Sequence, residues 1–149
     1  MKNLPVDYYN QKGAWMDMDI FEDWFKKKWV PEVQAFLKNK GLPQKAVLLL
    51  DNAPSHPNES VLKTNDGLIV TKFLPPNVTS LIQSMDQGVI SSMKRLYRQN
   101  LLKTLVEEDD NLINFWKKMT ILDAIHGISQ SWSKVKPVTL VRSRKFLNM

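Results

Sequence analysis

AVLLLDNAP, residues 46–54, decides the fold class: five apolar residues stop abruptly at a carboxylate and a tight proline-containing turn. Five residues suffice for a strand but not for a useful helix. An apolar run without alternation predicts a strand covered on both faces, as in a parallel sheet flanked by helices. A second run, LIVTKF at 68–73, follows after 17 residues. The link between them holds a turn at 54–58 and a stretch at 59–64 able to form about one or two helical turns. A strand, a crossover and a strand predict a parallel pair with a right-handed connection.

Upstream of the first run the period is helical. Ile20, Phe21, Trp24, Phe25 and Trp29 recur at helix spacing, with Asp17 or Asp19 placed to cap the first turn. Pro31 cannot continue that ladder but suits the first turn of a second helix, striped by Val33, Phe36 and Leu37 and stopped by Gly41 and Pro43. The tryptophans read as core residues. LPVDYYN, residues 4–10, reads as a short extended strand that contains Asp7.

Downstream, Pro75 and Pro76 end the second strand, and a long helix starts between residues 80 and 86 and runs to about Val106. Its stripe is Ile82, Met85, Val89, Ile90, Met93, Leu96, Tyr97, Leu101 and Leu105. Its other face, Gln87, Ser91, Lys94, Arg95, Arg98, Gln99 and Lys103, is polar and basic. Four acids, 107–110, break the pattern. Two further helices follow at 112–119 and 121–135, the second announced by Thr120 and Asp123 in capping-box spacing.

The 149 residues fit one domain by size. Within it, residues 1–106 read as the sheet-containing part and 107–149 as its helical C-terminal extension. With no cysteine, neither disulfides nor a thiolate zinc site holds the fold. The longest apolar run is far too short to cross a bilayer, so a soluble intracellular protein without membrane contact is expected. Net charge is +6, and its distribution matters more than its size. Residues 1–75 carry ten lysines and nine acids, whereas 76–149 carry eleven lysines plus arginines, including all four arginines, and six acids. A basic half suits a polyanion, with nucleic acid the commonest, although a solvated surface would look the same.

Two acids stand out. Asp51 ends an apolar strand at the carboxyl edge of the sheet, where open α/β sheets build their sites. Asn52 and His56 share its loop, and Asp-Asn-Ala-Pro is also simply a good turn. Asp86 has Val89, Ile90, Met93 and Tyr97 at helical spacing, which predicts a place on the packing face of the long helix. A lone acid there is costly unless paired or on a metal. A helix N-terminus favouring an acid is the plainer reading. Together, two such carboxylates supply the hard oxygens that Mg²⁺ prefers.

These residues carry a resemblance. LLLDNAPSHP (48–57) and FLPPNVTSLIQSMDQGVI (73–90) resemble the DDE-superfamily transposase domain, and more narrowly its pogo branch of Tigger, jerky and centromere protein B-like proteins. WMDMDIFEDWF (15–25) is similar to the helix that precedes the second acid in those proteins. Thirty-four residues separate Asp51 from Asp86, which resembles the interval between second and third acids in mariner and pogo elements.

The resemblance implies an α/β class: an N-terminally truncated RNase H-like fold with a small, mostly parallel sheet of two or three strands, flanked by helices, and a helical C-terminal part. It also implies acids that hold Mg²⁺ or Mn²⁺ for phosphodiester chemistry. Asp51 matches the second acid and Asp86 the third, with Asn52 and His56 in supporting places. The family's first acid lies on an early strand followed by two more, and Asp7 leaves too few residues before Asp17 for those strands, so the first acid is expected to be absent and metal binding weak. Ser84 stands where the family pattern has proline.

The expected function is that of a domesticated, nuclear DDE-domain protein binding DNA without cleaving it. Lys94, Arg95, Arg98 and Lys103, with Arg142 and Arg144, would make non-specific phosphate contacts. Specific reading of DNA in the family belongs to N-terminal helix-turn-helix domains. The alternatives are a Mg²⁺-dependent endonuclease or transposase whose first acid comes from outside the chain, and a protein-interaction module built on Trp24, Trp29, Trp116 and Trp132.

Overall fold

The computed structural model describes residues 4–76, 83, 85–107 and 111–143, and the chain forms two compact units, 9–79 and 1–8 with 80–149. Ile82, Ser84, residues 108–110 and Arg144 lie outside the described residues, as does the side chain of Gln87.

In the unit 9–79, α1 (Met18–Trp24) starts where the Asp17 carboxylate accepts from the Ile20 N–H at 2.9 Å. The sequence predicts a break before Pro31, but the backbone runs through it. A π turn, Phe25–Trp29, passes directly into α2 (Val30–Asn39), with Val30 N–H donating to Phe25 O. In a regular α-helix the Pro31 ring would press on the carbonyl four residues earlier. The wider turn relieves that contact and leaves Pro31 in the first turn of α2.

Strands β1 (Ala46–Leu50) and β2 (Ile69–Phe73) pair in parallel, Ala46 opposite Ile69 and Leu50 opposite Phe73. This register puts Leu48 and Leu50 on one face with Ile69, Thr71 and Phe73. That face meets the helices in a core of Phe21, Phe25, Val30, Leu50, Leu62 and Ile69, with Trp24 and Trp29 packed against it. The Phe25 and Trp29 rings stack at 5.2 Å. These two tryptophans are core-packed, as read from the sequence.

Burial of the first strand on both faces is not what forms. Val47 is 56% exposed and Leu49 45% exposed. The helices of this unit pack on one face of β1, and leucines on the other face look identical in sequence.

The crossover also differs from expectation. Residues 59–64 form no helix. Leu62 N–H closes a single turn onto Asn58 O, and Lys63 then pairs antiparallel with Val70. Thr64 exchanges bonds with Ile69, and the buried Thr71 hydroxyl donates to Leu62 O at 3.1 Å. The link therefore lies along the outer edge of β2.

In the other unit, a π turn, Met85–Val89, leads into the long helix α3 (Ile90–Glu107). Helices α4 (Leu112–Lys118), α5 (Ile121–Ser133) and α6 (Pro137–Ser143) follow. The Thr120–Asp123 capping box that opens α5 is present in full. Helix α3 packs on α5, and α6 packs on the π turn. The α3–α5 contact is close because of a glycine: a Cβ at Gly127 would sit 2.9 Å from Tyr97 Cε2. Beside it, the Asn100 amide donates to Gln130 Oε1 at 3.3 Å and Ser131 Oγ at 3.2 Å. Residues 4–10 form no strand. Pro5 lacks the N–H a ladder needs, and the described residues hold no strand beside β1 and β2. The whole is α/β, a small parallel sheet with flanking helices, consistent with an RNase H-like fold.

Candidate functional site

Parallel pairing continues past β1, where Leu74 N–H donates to Leu50 O at 2.7 Å. The chain turns sharply after Asp51, and three contacts hold that turn. The Asn52 amide donates to Leu74 O at 2.7 Å, tying the loop to the end of β2. Ala53 N–H donates to Asp51 Oδ1 at 3.3 Å, and His56 N–H donates to Ala53 O at 3.0 Å.

His56 closes the loop on itself. Its Nδ1 lies 2.9 Å from the Asp51 carbonyl oxygen and 3.1 Å from Asp51 Oδ1. Both neighbours accept, so the proton belongs on Nδ1. The ring packs on Phe21 at 4.6 Å, beside Phe73 at 6.4 Å. The aromatic face of α1 therefore seats the imidazole, which in turn orients the carboxylate. Asp51 keeps 24% of its side chain exposed, against 14% for His56.

A partly exposed, oriented carboxylate at a strand end suits a hard divalent cation. The described residues hold no group of three or more metal-ligating side chains. Asp51 and Asp86 belong to different units. Asp86 does not lie on the buried face of the long helix, as its spacing had predicted; it is exposed, and its N–H donates to Gln83 O at 3.0 Å. The π turn is the reason. Its longer period takes positions 85 and 86 out of the α3 stripe and leaves Val89 as the buried residue, with Gly88 at φ +89°.

The basic residues are where their spacing put them. Lys94, Arg95, Arg98 and Lys103 are all exposed on α3, and Lys103 approaches Glu107 at 3.6 Å. Arg142 is exposed on α6, and Asp7 is exposed ahead of α1. No helix among the described residues is long and apolar enough to cross a membrane.

The sequence profile of the DDE superfamily endonuclease family matches residues 1–143. The chain belongs to the DDE superfamily. Human Tigger transposable element-derived protein 7 is 38% identical over 154 residues, covering 94% of this chain and 28% of that protein. Human Jerky protein homolog is 35% identical over 137 residues, covering 91% and 23%. Mouse Tigger transposable element-derived protein 4 is 34% identical over 145 residues, covering 96% and 25%. The chain thus spans about a quarter of the length of these curated relatives. No solved structure matches it significantly. The pogo-branch resemblance is borne out, and DDE enzymes as a class are metal-dependent.

Sequence reading placed Asn52 and His56 near Asp51 but missed what they hold. Asn52 grips a carbonyl 22 residues away, and only the pairing of β1 with β2 makes the two neighbours. It also missed a cleft between α3, α4 and α5, whose one sequence signal was a glycine in the middle of an amphipathic helix.

Proposed function

We propose that the chain is a transposase-derived DDE-domain protein of the nucleus that binds DNA non-specifically and, taken alone, does not cut it. The observation that carries this reading is the row of exposed cations on α3, Lys94, Arg95, Arg98 and Lys103, in a chain of a DNA-transposase-related family. Arg142 extends the basic surface of the same unit. Cations on a rigid helix release counterions from phosphates whatever the base sequence, so affinity follows salt.

Asp51 and Asp86 are the residues that would hold a Mg²⁺ or Mn²⁺ ion, with Asn52 and His56 positioning Asp51. When bound, such an ion supplies charge stabilisation at a phosphodiester. Two carboxylates leave a two-ion clamp incomplete. Asp7 does not serve as the first acid, since the segment that carries it forms no strand. Endonuclease activity therefore requires an acid from elsewhere.

Duplex binding measured by fluorescence anisotropy tests the reading. If four phosphates are neutralised, affinity falls roughly 50-fold between about 50 and 150 mM salt. Arg95→Glu with Arg98→Glu flattens that slope. Salt-independent binding, or no effect of the charge reversal, overturns it. Plasmid nicking with Mg²⁺ that disappears in Asp51→Ala overturns the non-cleaving part.

Exposed Ile113, Trp116, Ile121 and Trp132 on α4 and α5 favour protein docking as a second reading. Loss of a co-purifying protein in Trp116→Ser supports it, and a monomeric protein without partners does not.

A further inference from the structure

The two edges of the sheet are finished differently. Along the outer edge of β2 the link doubles back, with Lys63 paired antiparallel to Val70 and Thr64 N–H donating to Ile69 O at 2.9 Å. The other edge, along β1, has no strand beside it among the described residues. Edge strands commonly carry a charge, a proline or a bulge that discourages further pairing. The AVLLL of β1 holds neither charge nor proline, and its register with β2 is unbroken.

That register fixes which groups the open edge presents. Ala46 N–H donates to Leu68 O at 3.1 Å, and Leu50 O accepts from Leu74 N–H at 2.7 Å. In a parallel pair alternate residues turn both backbone groups to the same neighbour, so Ala46, Leu48 and Leu50 bond toward β2. The N–H and C=O of Val47 and Leu49 point the other way, to the open edge. Their side chains alternate to the face without a helix, where Val47 is 56% and Leu49 45% exposed.

A second copy of the chain matches this edge at every position. A two-fold axis through Leu48 lays the two β1 strands side by side, antiparallel. Val47 then lies opposite Leu49 of the second copy, and Leu49 opposite its Val47. All of these residues face outward, so each pair exchanges two main-chain hydrogen bonds. One step farther out, the exposed Lys45 meets Asp51 of the second copy, and the same pairing recurs at the other end. Moving the axis to Val47 or Leu49 sets a charge against an apolar residue instead. A strand of uniform charge from another protein would meet a like charge at one end. The pairing is also bounded: Lys45 N–H turns back onto Pro43 O at 2.7 Å, and Pro54 closes the turn beyond Asp51.

We propose that β1 is a self-association edge, through which two copies of this chain join antiparallel at Val47 and Leu49 into one continuous sheet. Lys45 of each copy then lies opposite Asp51 of the other, and the exposed valines and leucines form a single apolar strip between them. The inference is independent of the nucleic-acid reading, whose cations belong to the other unit.

Sedimentation equilibrium of the full chain, with amide hydrogen exchange read by NMR, tests it. The chain is expected to dimerise as concentration rises, and the amides of Val47 and Leu49 to exchange more slowly as it does. Val47→Lys with Leu49→Lys sets like charges opposite each other and gives a monomer. Val47→Lys with Leu49→Glu removes the same apolar side chains but sets opposite charges in register, and dimerisation returns. Lys45→Glu, at an exposed position outside the strand, weakens the dimer about tenfold, since the two-fold axis counts each altered pair twice. That variant keeps the test open if neither double variant folds by circular dichroism. A chain that stays monomeric, or a dimer that survives the paired lysines, overturns the proposal. Equal loss in two folded double variants overturns the register and leaves only unspecific apolar contact. Slow exchange at Val47 and Leu49 in a monomer also overturns it, because another part of the same chain then covers the edge.

Discussion

His56 donates from Nδ1 to the carbonyl oxygen of Asp51 at 2.9 Å, while Oδ1 of the same aspartate lies 3.1 Å from that nitrogen. A single imidazole thus holds both the backbone and the carboxylate of the residue that follows β1. Phe21 supports the ring from α1, so the carboxylate direction depends on helix-to-sheet packing as well as on the loop.

Replacing His56 removes both the hydrogen bond and the ring contact. His56→Ala is expected to destabilise the protein by about 1–3 kcal/mol, from an unsatisfied acceptor and lost packing. His56→Phe keeps the ring against Phe21 and should recover part of that loss. Urea unfolding of the three proteins measures it, and an unchanged midpoint in His56→Ala would show the loop to be held by Asn52 alone.

Asp51 is proposed as a ligand for a divalent ion, with Asn52 and His56 positioning it. Mn²⁺ is then expected to broaden the NMR signals of the 51–56 turn. Asp51→Asn should abolish that broadening. Signals of the 51–56 turn that stay sharp with Mn²⁺ argue that Asp51 holds no ion.

Gly127 permits the approach of α5 to Tyr97. Gly127→Ala gains helix propensity, about 1 kcal/mol, but its Cβ would lie 2.9 Å from the ring. The overpacking term, about 1–3 kcal/mol, is expected to prevail, and melting should occur at a lower temperature. Tyr97→Leu added to Gly127→Ala relieves the crowding and should restore stability relative to the single variant. A more stable Gly127→Ala would mean the two helices separate freely.

Acid is expected to weaken the start of α5. The Thr120 hydroxyl, and then its N–H, hold the Asp123 carboxyl below the ordinary carboxylate range. A carboxyl depressed on folding adds stability that is present above its unfolded pKa, about 4, and is lost as pH falls through the lower folded value. Thr120→Ala should both lower the melting temperature at neutral pH and reduce the difference between neutral and acidic pH. Identical pH dependence in the two proteins would remove the capping box from any part in acid sensitivity.

Local chemistry was legible in the residues. Asp17 and Thr120 cap helices where spacing placed them, because an N-cap needs only a side-chain oxygen and an N–H three residues on. Two features were not legible. The uninterrupted passage from α1 to α2 and the exposure of Asp86 follow from two π turns, Phe25–Trp29 and Met85–Val89. A π turn is a choice of hydrogen-bond partner one residue farther along, and no residue type signals it.

By itself, the sequence determined the two strands, their parallel order, the capped starts of α1 and α5, the basic side of α3 and the family. Each depends on periodicity, capping chemistry or motif spacing within a short stretch. Tertiary structure alone decided that Val47 and Leu49 face outward, that Asn52 reaches Leu74, and that α3, α4 and α5 leave a cleft. Each of these depends on which surface a distant element covers, and a leucine or an asparagine looks the same in sequence whether or not that element arrives.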